Sequence, residues 1–298
     1  MMMNQVLVTV FTPTYNRCKY LPNLYHSLLE QTEHAIEWIV VDQGNDQTEE
    51  LVRGYKDEAP FPIIYERLKG ERGISRAFNR MLDIASGYLV MKVDDDDLLT
   101  RDAIETILKY ERQLPRDGQY AGVSGLRMYS NGETIGSKWE HETDWIDCTN
   151  LERYKYRLTK DKAEAYYLKT LQEYGPMPTV PGEYYTWESV LWDRIAHAGK
   201  KIRWFNKCIY ITEYLPGGAT DSLRKGEMDS FRTYTIVVSE KMKYRDVPFI
   251  MRLKQCCRYF EIARAKKVTF RSLRNSFRGS TSIAFMGYCG SWFSRHLR

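Results

Sequence analysis

Val6 to Phe11 is a short apolar run rich in β-branched residues and stopped by Thr12-Pro13. That pattern predicts a strand buried on both faces. From Leu21 to Gln31 the period changes, and Leu21, Leu24, Leu28 and Leu29 share one face of a helix. Glu37 to Asp42 (EWIVVD) predicts a second buried strand, ended by the polar turn Gln43-Gly44-Asn45-Asp46, and Thr48 to Tyr55 predicts a helix. Ile63 to Glu66 predicts a third strand. Gly70 and Gly73 bound a loop, Ser75 is placed to cap a helix running to about Ala85, and Gly87 breaks it. Tyr88 to Val93 predicts a fourth strand and Arg101 to Arg112 a helix.

Strands and helices alternate throughout this stretch, and the strands are too uniformly apolar to have a wet face. The pattern predicts an α/β fold: a parallel sheet covered by helices on both sides. Ligands of such sheets bind beyond the carboxyl ends of the strands. Thr12–Arg17, Asp42–Asp46 and Asp94–Asp97 all follow strand ends, so they are expected on one rim. Beyond Arg112 the periodicity weakens. Ala121 to Tyr129 predicts a strand, Asp144 to Tyr174 a polar, Tyr-rich stretch helical in part, Glu188 to Ala198 a helix ended by Gly199, and Cys208 to Thr212 a strand. Basic and apolar residues interleave on predicted helices from Asp221 onward.

With 298 residues, the chain can hold one large domain and an appendage, or two small domains. Its net charge of +5 is unevenly spread. From Asp221 there are 17 Lys/Arg and 6 Asp/Glu, a net +11, against 27 and 33, a net −6, before it. A basic final third suggests an anionic partner. Residues 241–298, with Phe, Tyr and Trp among the basic residues, fit a helix lying on an anionic membrane surface, or equally a helical cap with solvated Lys and Arg. No recognised nucleic-acid-binding module is present, so no nucleic acid is expected as a partner. Six dispersed cysteines without C-x-x-C, no basic-then-apolar leader and no 18-residue apolar window predict a cytoplasmic chain, peripheral on the inner face of the membrane. No histidine pair has zinc spacing, no G-x-G-x-x-G follows the first strand, and no P-loop occurs.

The candidate chemistry lies in Asp94-Asp95-Asp96-Asp97, directly after the fourth apolar run. At ~5 Å and an effective dielectric of about 20, each close pair of carboxylates repels by ~3 kcal/mol before screening. An isolated run of this kind is more often a solvated turn. Two aspartates one residue apart can instead reach a hard cation, Mg²⁺ or Mn²⁺, which bridges to a diphosphate.

Four segments in order resemble the inverting, metal-dependent family 2 glycosyltransferases of the GT-A fold. They are Thr12-Pro13-Thr14-Tyr15-Asn16-Arg17, Val40-Val41-Asp42, Gly73-Ile74-Ser75-Arg76-Ala77-Phe78-Asn79 and Asp94–Asp97. Trp187–Arg194 and Ile211–Gly218 resemble the acceptor half of bacterial members. The resemblance implies a Rossmann-like nucleotide-sugar half at 1–112, an acceptor half at 113–220 and a basic, mainly helical extension at 221–298. It implies a donor site from Thr12, Pro13, Thr14, Tyr15, Arg17, Asp42, Arg76, Asp94 and Asp95, with Arg72 as the rival of Arg76. Tyr15 would stack on the base and Asp42 accept from its imide. Asp95 would bind the ribose and Asp96 the cation, Mn²⁺ or Mg²⁺. Glu188 would be the general base, with Glu183 second. The implied reaction passes a sugar, from a UDP-sugar in the first instance, to a hydroxyl of a surface polysaccharide or its lipid-linked precursor. The rivals are a catalytically silent sugar-nucleotide or glycan-binding module of the same fold and a sugar-phosphate nucleotidyltransferase. The latter calls for a Gly-rich loop where Thr12-Pro13-Thr14-Tyr15 stands.

Overall fold

The computed structural model describes residues 7–212, 223–277 and 280–293. Strands β1 (Val8–Thr14), β2 (Ile36–Asp42), β3 (Ile63–Arg67) and β4 (Leu89–Lys92) run parallel in the order β3-β2-β1-β4. Helices α1 (Leu21–Leu29), α2 (Thr48–Lys56) and α3 (Ile74–Ile84) connect them. The first strand continues through Thr12-Pro13, where the apolar run alone would end it. Its pairing with β4 stops at Phe11, so no neighbour on that side asks Pro13 for an N–H. Ser75 does not cap α3. The helix starts at Ile74 with Gly73 at the cap, and the Ser75 hydroxyl accepts a hydrogen bond from Thr186 at 2.9 Å.

The second half comprises β5 (Leu98–Leu99), α4 (Ala103–Arg112), β6 (Tyr120–Met128), β7 (Trp145–Cys148), β8 (Lys162–Tyr167), α5 (Leu168–Tyr174), α6 (Ser189–His197) and β9 (Lys201–Ile211). Strand β8 inserts between β4 and β6, antiparallel to both. β6 pairs parallel with β9, and β5 and β7 lie antiparallel on β9. The stretch Asp144–Tyr174 is thus less helical than its Tyr-rich composition suggests. Ala163 and Ala165 of β8 enter one core and Tyr166 the other, the period-2 signature of a strand.

Two apolar layers sandwich the sheet. One joins Val8, Val10, Trp38 and Val40 to α1 and α4 through Leu24, Leu28, Ile104 and Ile107. The other joins Phe11, Ile39 and Val41 to α3 and α6 through Phe78, Met81, Leu191 and Ile195. At the floor of the sheet, buried Glu37 accepts hydrogen bonds from Thr9 (2.5 Å), Ser86 (2.6 and 2.7 Å) and the Gly87 amide (3.0 Å). Gly87 is required there, since a Cβ would fall 2.5 Å from the Thr9 amide nitrogen.

The C-terminal helices are α7 (Leu223–Asp229), α8 (Phe231–Lys241), α9 (Phe249–Ala265), α10 (Phe270–Leu273) and α11 (Thr281–Phe293). Tyr259, Phe260, Phe277 and Ile283 form a core of their own. Helix α8 also packs on the body: Val237 enters the layer that holds α6. Arg194 pairs with Glu240 at 2.6 Å, and Lys241 pairs with buried Asp193 at 2.9 Å. Glu183 caps α8 from outside, accepting from the Arg232 and Thr233 amides at 3.0 and 2.7 Å and from the Thr233 hydroxyl at 2.7 Å. Glu183→Ala is therefore expected to cost ~1–2 kcal/mol of stability. Thermal unfolding checks it, and an unchanged Tm would remove the cap.

Candidate active site

Register builds the rim. Thr14 of β1 is level with Asp42 of β2, which is level with Arg67 of β3. Beyond the last β1–β4 pair, the Thr14 hydroxyl donates to Asp95 at 2.7 Å. The turns after β1 and β2 are zipped together: the Asn45 amide donates to Asn16 Oδ1 at 2.7 Å and the Cys18 amide to Asp46 at 3.0 Å. The three polar clusters expected on one rim do meet there.

The chain turns over residues 94–97, where the Asp97 amide donates to the Asp94 carbonyl at 3.1 Å, and this turn sorts the four aspartates. Asp95 and Asp97 point inward, each 5% exposed, whereas Asp94 and Asp96 are half-open on the outer side. Each has a partner, and Asp95 and Asp96 share one. Asp94 pairs with Lys92 at 2.8 Å, and Asp95 with Arg17 at 2.9 Å and with Thr14. Asp96 pairs with the same Arg17, and Asp97 accepts from the Tyr210 hydroxyl at 2.7 Å with Arg127 at 4.0 Å. Burial pushes Asp95 up to about 6 despite Thr14 and Arg17. Burial, with the charge of Asp94 added, pushes Asp97 to about 6 despite Thr212, Tyr210 and Arg127. Asp94 moves the other way: burial raises it, but Lys92 outweighs burial and its carboxyl lies below the ordinary value.

Glu188 stands at the N-cap of α6, and its carboxylate meets the same Lys92 at 2.8 Å. It is a quarter exposed. Glu183, the second candidate, is 7% exposed and occupied in capping α8. That engagement leaves Glu188 as the carboxylate open to the rim.

Other expected donor contacts are rearranged. Thr12 is fully buried and accepts from the Trp38 indole at 3.0 Å, so its side chain belongs to the core. Pro13 sits beside it, partly buried in β1. Asp42 is wholly enclosed, accepting from Gly44 (2.6 Å), Tyr65 (2.7 Å) and Arg67 (2.5 Å). Arg67, about a third exposed, is what that end of the rim presents. Exposed Tyr15 meets Arg72, whose guanidinium lies 4.7 Å from its ring and 4.3 Å from that of Tyr184. Arg76 is tied to Glu71 at 2.7 Å. The arginine brought to Tyr15 is thus Arg72.

Sequence reasoning missed Lys92, Arg127, Tyr210 and Tyr184. A signal existed only for Lys92, the one charge inside β4. The stretch from Glu213 to Gly218, part of the acceptor-half resemblance, lies outside the described residues.

The sequence model of glycosyl transferase family 2 matches residues 9–171. The chain belongs to that family. Among curated relatives of this family 2 chain, a putative teichuronic acid biosynthesis glycosyltransferase, TuaG of Bacillus subtilis, is 33% identical over 40% of the chain and 47% of its own length. Glycosyltransferase GlyG of Streptococcus pneumoniae is 30% identical over 48% and 46%. The matches thus span less than half of either relative. Residues 1–349 of S. aureus TarS in complex with UDP-GlcNAc align with a TM-score of 0.64 at 16% identity, over 95% of this chain and 81% of that one. The mannosyltransferase PcManGT from Pyrobaculum calidifontis, in complex with GDP-Man and Mn²⁺, aligns with a TM-score of 0.58 at 15% identity, over 97% and 88%. The shared fold is GT-A.

Because the folded chain holds the Asp95 and Asp97 protons more tightly than the unfolded one, its stability falls as pH rises from 3.8 to about 6. Asp97→Asn is expected to stabilise by ~2 kcal/mol at pH 8 and to change little near pH ~4. Unfolding at the two pH values checks this. An equal gain at both would mean that ionisation is not the cost.

Proposed function

We propose that the chain transfers a sugar, with inversion, from a nucleoside-diphosphate sugar to a hydroxyl acceptor. The observation that carries this reading is the placement of a solvent-reaching carboxylate, Glu188, beside Asp94, with Lys92 at 2.8 Å from both. A sugar hydroxyl is a poor nucleophile, and a carboxylate within reach can take its proton as the new bond forms. Tyr15 and Arg72 would flank the base, with Asp42 acting there through the Arg67 it anchors. Asp95, oriented by Thr14, would take the ribose, and Arg17 would face the diphosphate. A silent binding module would bind the same donor without turnover.

The outer pair of hard oxygen donors, Asp94 and Asp96, suits Mg²⁺ or Mn²⁺ completed by phosphate oxygens, and among the described residues no group of three His, Cys, Asp or Glu gathers to hold a metal alone. A cation held by Asp96 with Asp94 would supply positive charge to the departing diphosphate. Support for the donor class comes from the neighbours in complex with UDP-GlcNAc and with GDP-Man and Mn²⁺. The name of one relative, which places it in teichuronic acid biosynthesis, supports a surface polysaccharide or its lipid-linked precursor as acceptor. A UDP-sugar is the first donor to test. Glu188→Gln is expected to abolish transfer, by at least ~100-fold, while nucleotide binding persists in a thermal-shift assay. Undiminished turnover would remove Glu188 from the mechanism, and binding by the wild type without turnover of any donor would favour the silent module.

A cytoplasmic chain using a lipid-linked acceptor would work against the inner face of the membrane. No described helix is long and apolar enough to cross one. The C-terminal helices instead expose Phe249, Ile250 and Met251 at the start of α9, near exposed Lys243, Arg245 and Lys254. Tyr259 and Phe260 of α9 are buried, whereas Phe285, Met286 and Trp292 of α11 are exposed, so apolar side chains of both helices would be available to the lipid. The chain is expected to sediment with phosphatidylglycerol vesicles in low salt, and Ile250→Asp to weaken this at unchanged Tm. Failure of the wild type to sediment would refute the contact.

A further inference from the structure

We propose that Lys92 is a positioning residue, a buried ammonium that fixes the Glu188 carboxylate beside Asp94 so that it meets the acceptor hydroxyl. This rests on the transferase reading of the site. The two carboxylates it joins come from unrelated elements. Asp94 follows β4, and Glu188 begins α6 after a long excursion of the chain. Lys92 Nζ lies 2.8 Å from Asp94 Oδ1 and 2.8 Å from Glu188 Oε1. Among the described residues, Lys92 is the one cation within ion-pair distance of Glu188. The Glu188 side chain makes no capping bond to its own helix. Without Lys92 it would lose its tether, and two carboxylates now separated by an ammonium would face each other.

The lysine itself has little freedom. Its side chain is 16% exposed, on a strand paired on both edges. It shares with Phe78, Tyr166, Glu164 and Trp192 the walls of a cavity of only about 20 Å³. Burial works against its charge, but Asp94 and Glu188 outweigh burial and keep it protonated, well above the ordinary lysine value. A compact ammonium with three donors suits this bridging place. A methionine would keep the stem and lose the bridge.

The test uses the full chain with Lys92→Met, Lys92→Arg, Glu188→Gln and the double variant Lys92→Met/Glu188→Gln. Release of UDP from a UDP-sugar gives kcat and KM, isothermal titration with UDP and Mn²⁺ gives affinity, and thermal unfolding gives stability. Lys92→Met is expected to lower kcat by about 100-fold, with donor KM and UDP affinity changed less than about threefold. Lys92→Arg should recover at least about a tenth of the activity. In the Glu188→Gln background, Lys92→Met should cost little more, because the lysine acts through that carboxylate. An unchanged kcat, an equal loss in both backgrounds, or a matching loss of UDP affinity would overturn the proposal. If the wild type turns over no donor, the transferase reading fails, and the tether is judged on stability. A smaller loss of Tm from Lys92→Met in the Glu188→Gln background than in the wild type supports the tether, and equal losses overturn it.

Discussion

Four carboxylates in a row can share one strand end only if something separates their charges, and that requirement organises the rest of the molecule. The partners come from all over the sheet. Arg17 and Thr14 lie at the end of β1, Lys92 in β4, Arg127 in β6 and Tyr210 in β9. The rim therefore exists only when both halves of the sheet are assembled. The turn after β4 does the sorting, with two aspartates buried and costly and two left toward solvent. Such a local cost, supported by a large core, is the usual physics of a functional site.

The candidate base is held from a second direction. Helix α6 leans on α8 through Arg194–Glu240 and Lys241–Asp193, and the loop before it is pinned by Glu183 at the start of α8. Part of the positive charge of the C-terminal third is thereby paired within the chain, Arg232 with Glu183, Lys241 with Asp193 and Arg258 with Glu227. What remains outward includes Lys243, Arg245 and Lys254 around the exposed start of α9. The same helices thus serve as a buttress for the site and leave a separate surface free.

The family match ends at residue 171, before Glu188, whereas the fold likeness to solved structures runs over nearly the whole chain at low identity. Residues 9–171 are thus shared at the level of the family's sequence, and the residues beyond them at the level of the fold.

How much could be read from the residues alone follows from the range of each interaction. The four parallel strands, their helices and the shared rim were legible because apolar runs and periods are local, and because a parallel sheet puts its strand ends together. The aspartate run and Glu188 were singled out through the order of their motifs, and the fold brings Asp94 and Glu188 together around Lys92. The antiparallel β8 hid in a polar, Tyr-rich stretch because its partners lie far away in sequence. Thr12 and Glu183 looked available for chemistry until packing gave them to Trp38 and to α8. The pairing of each aspartate, and the lysine that joins two carboxylates from opposite halves, were decided only in three dimensions. Charge pairing acts over a few ångströms of space, and no sequence spacing encodes which residues the fold will bring that close.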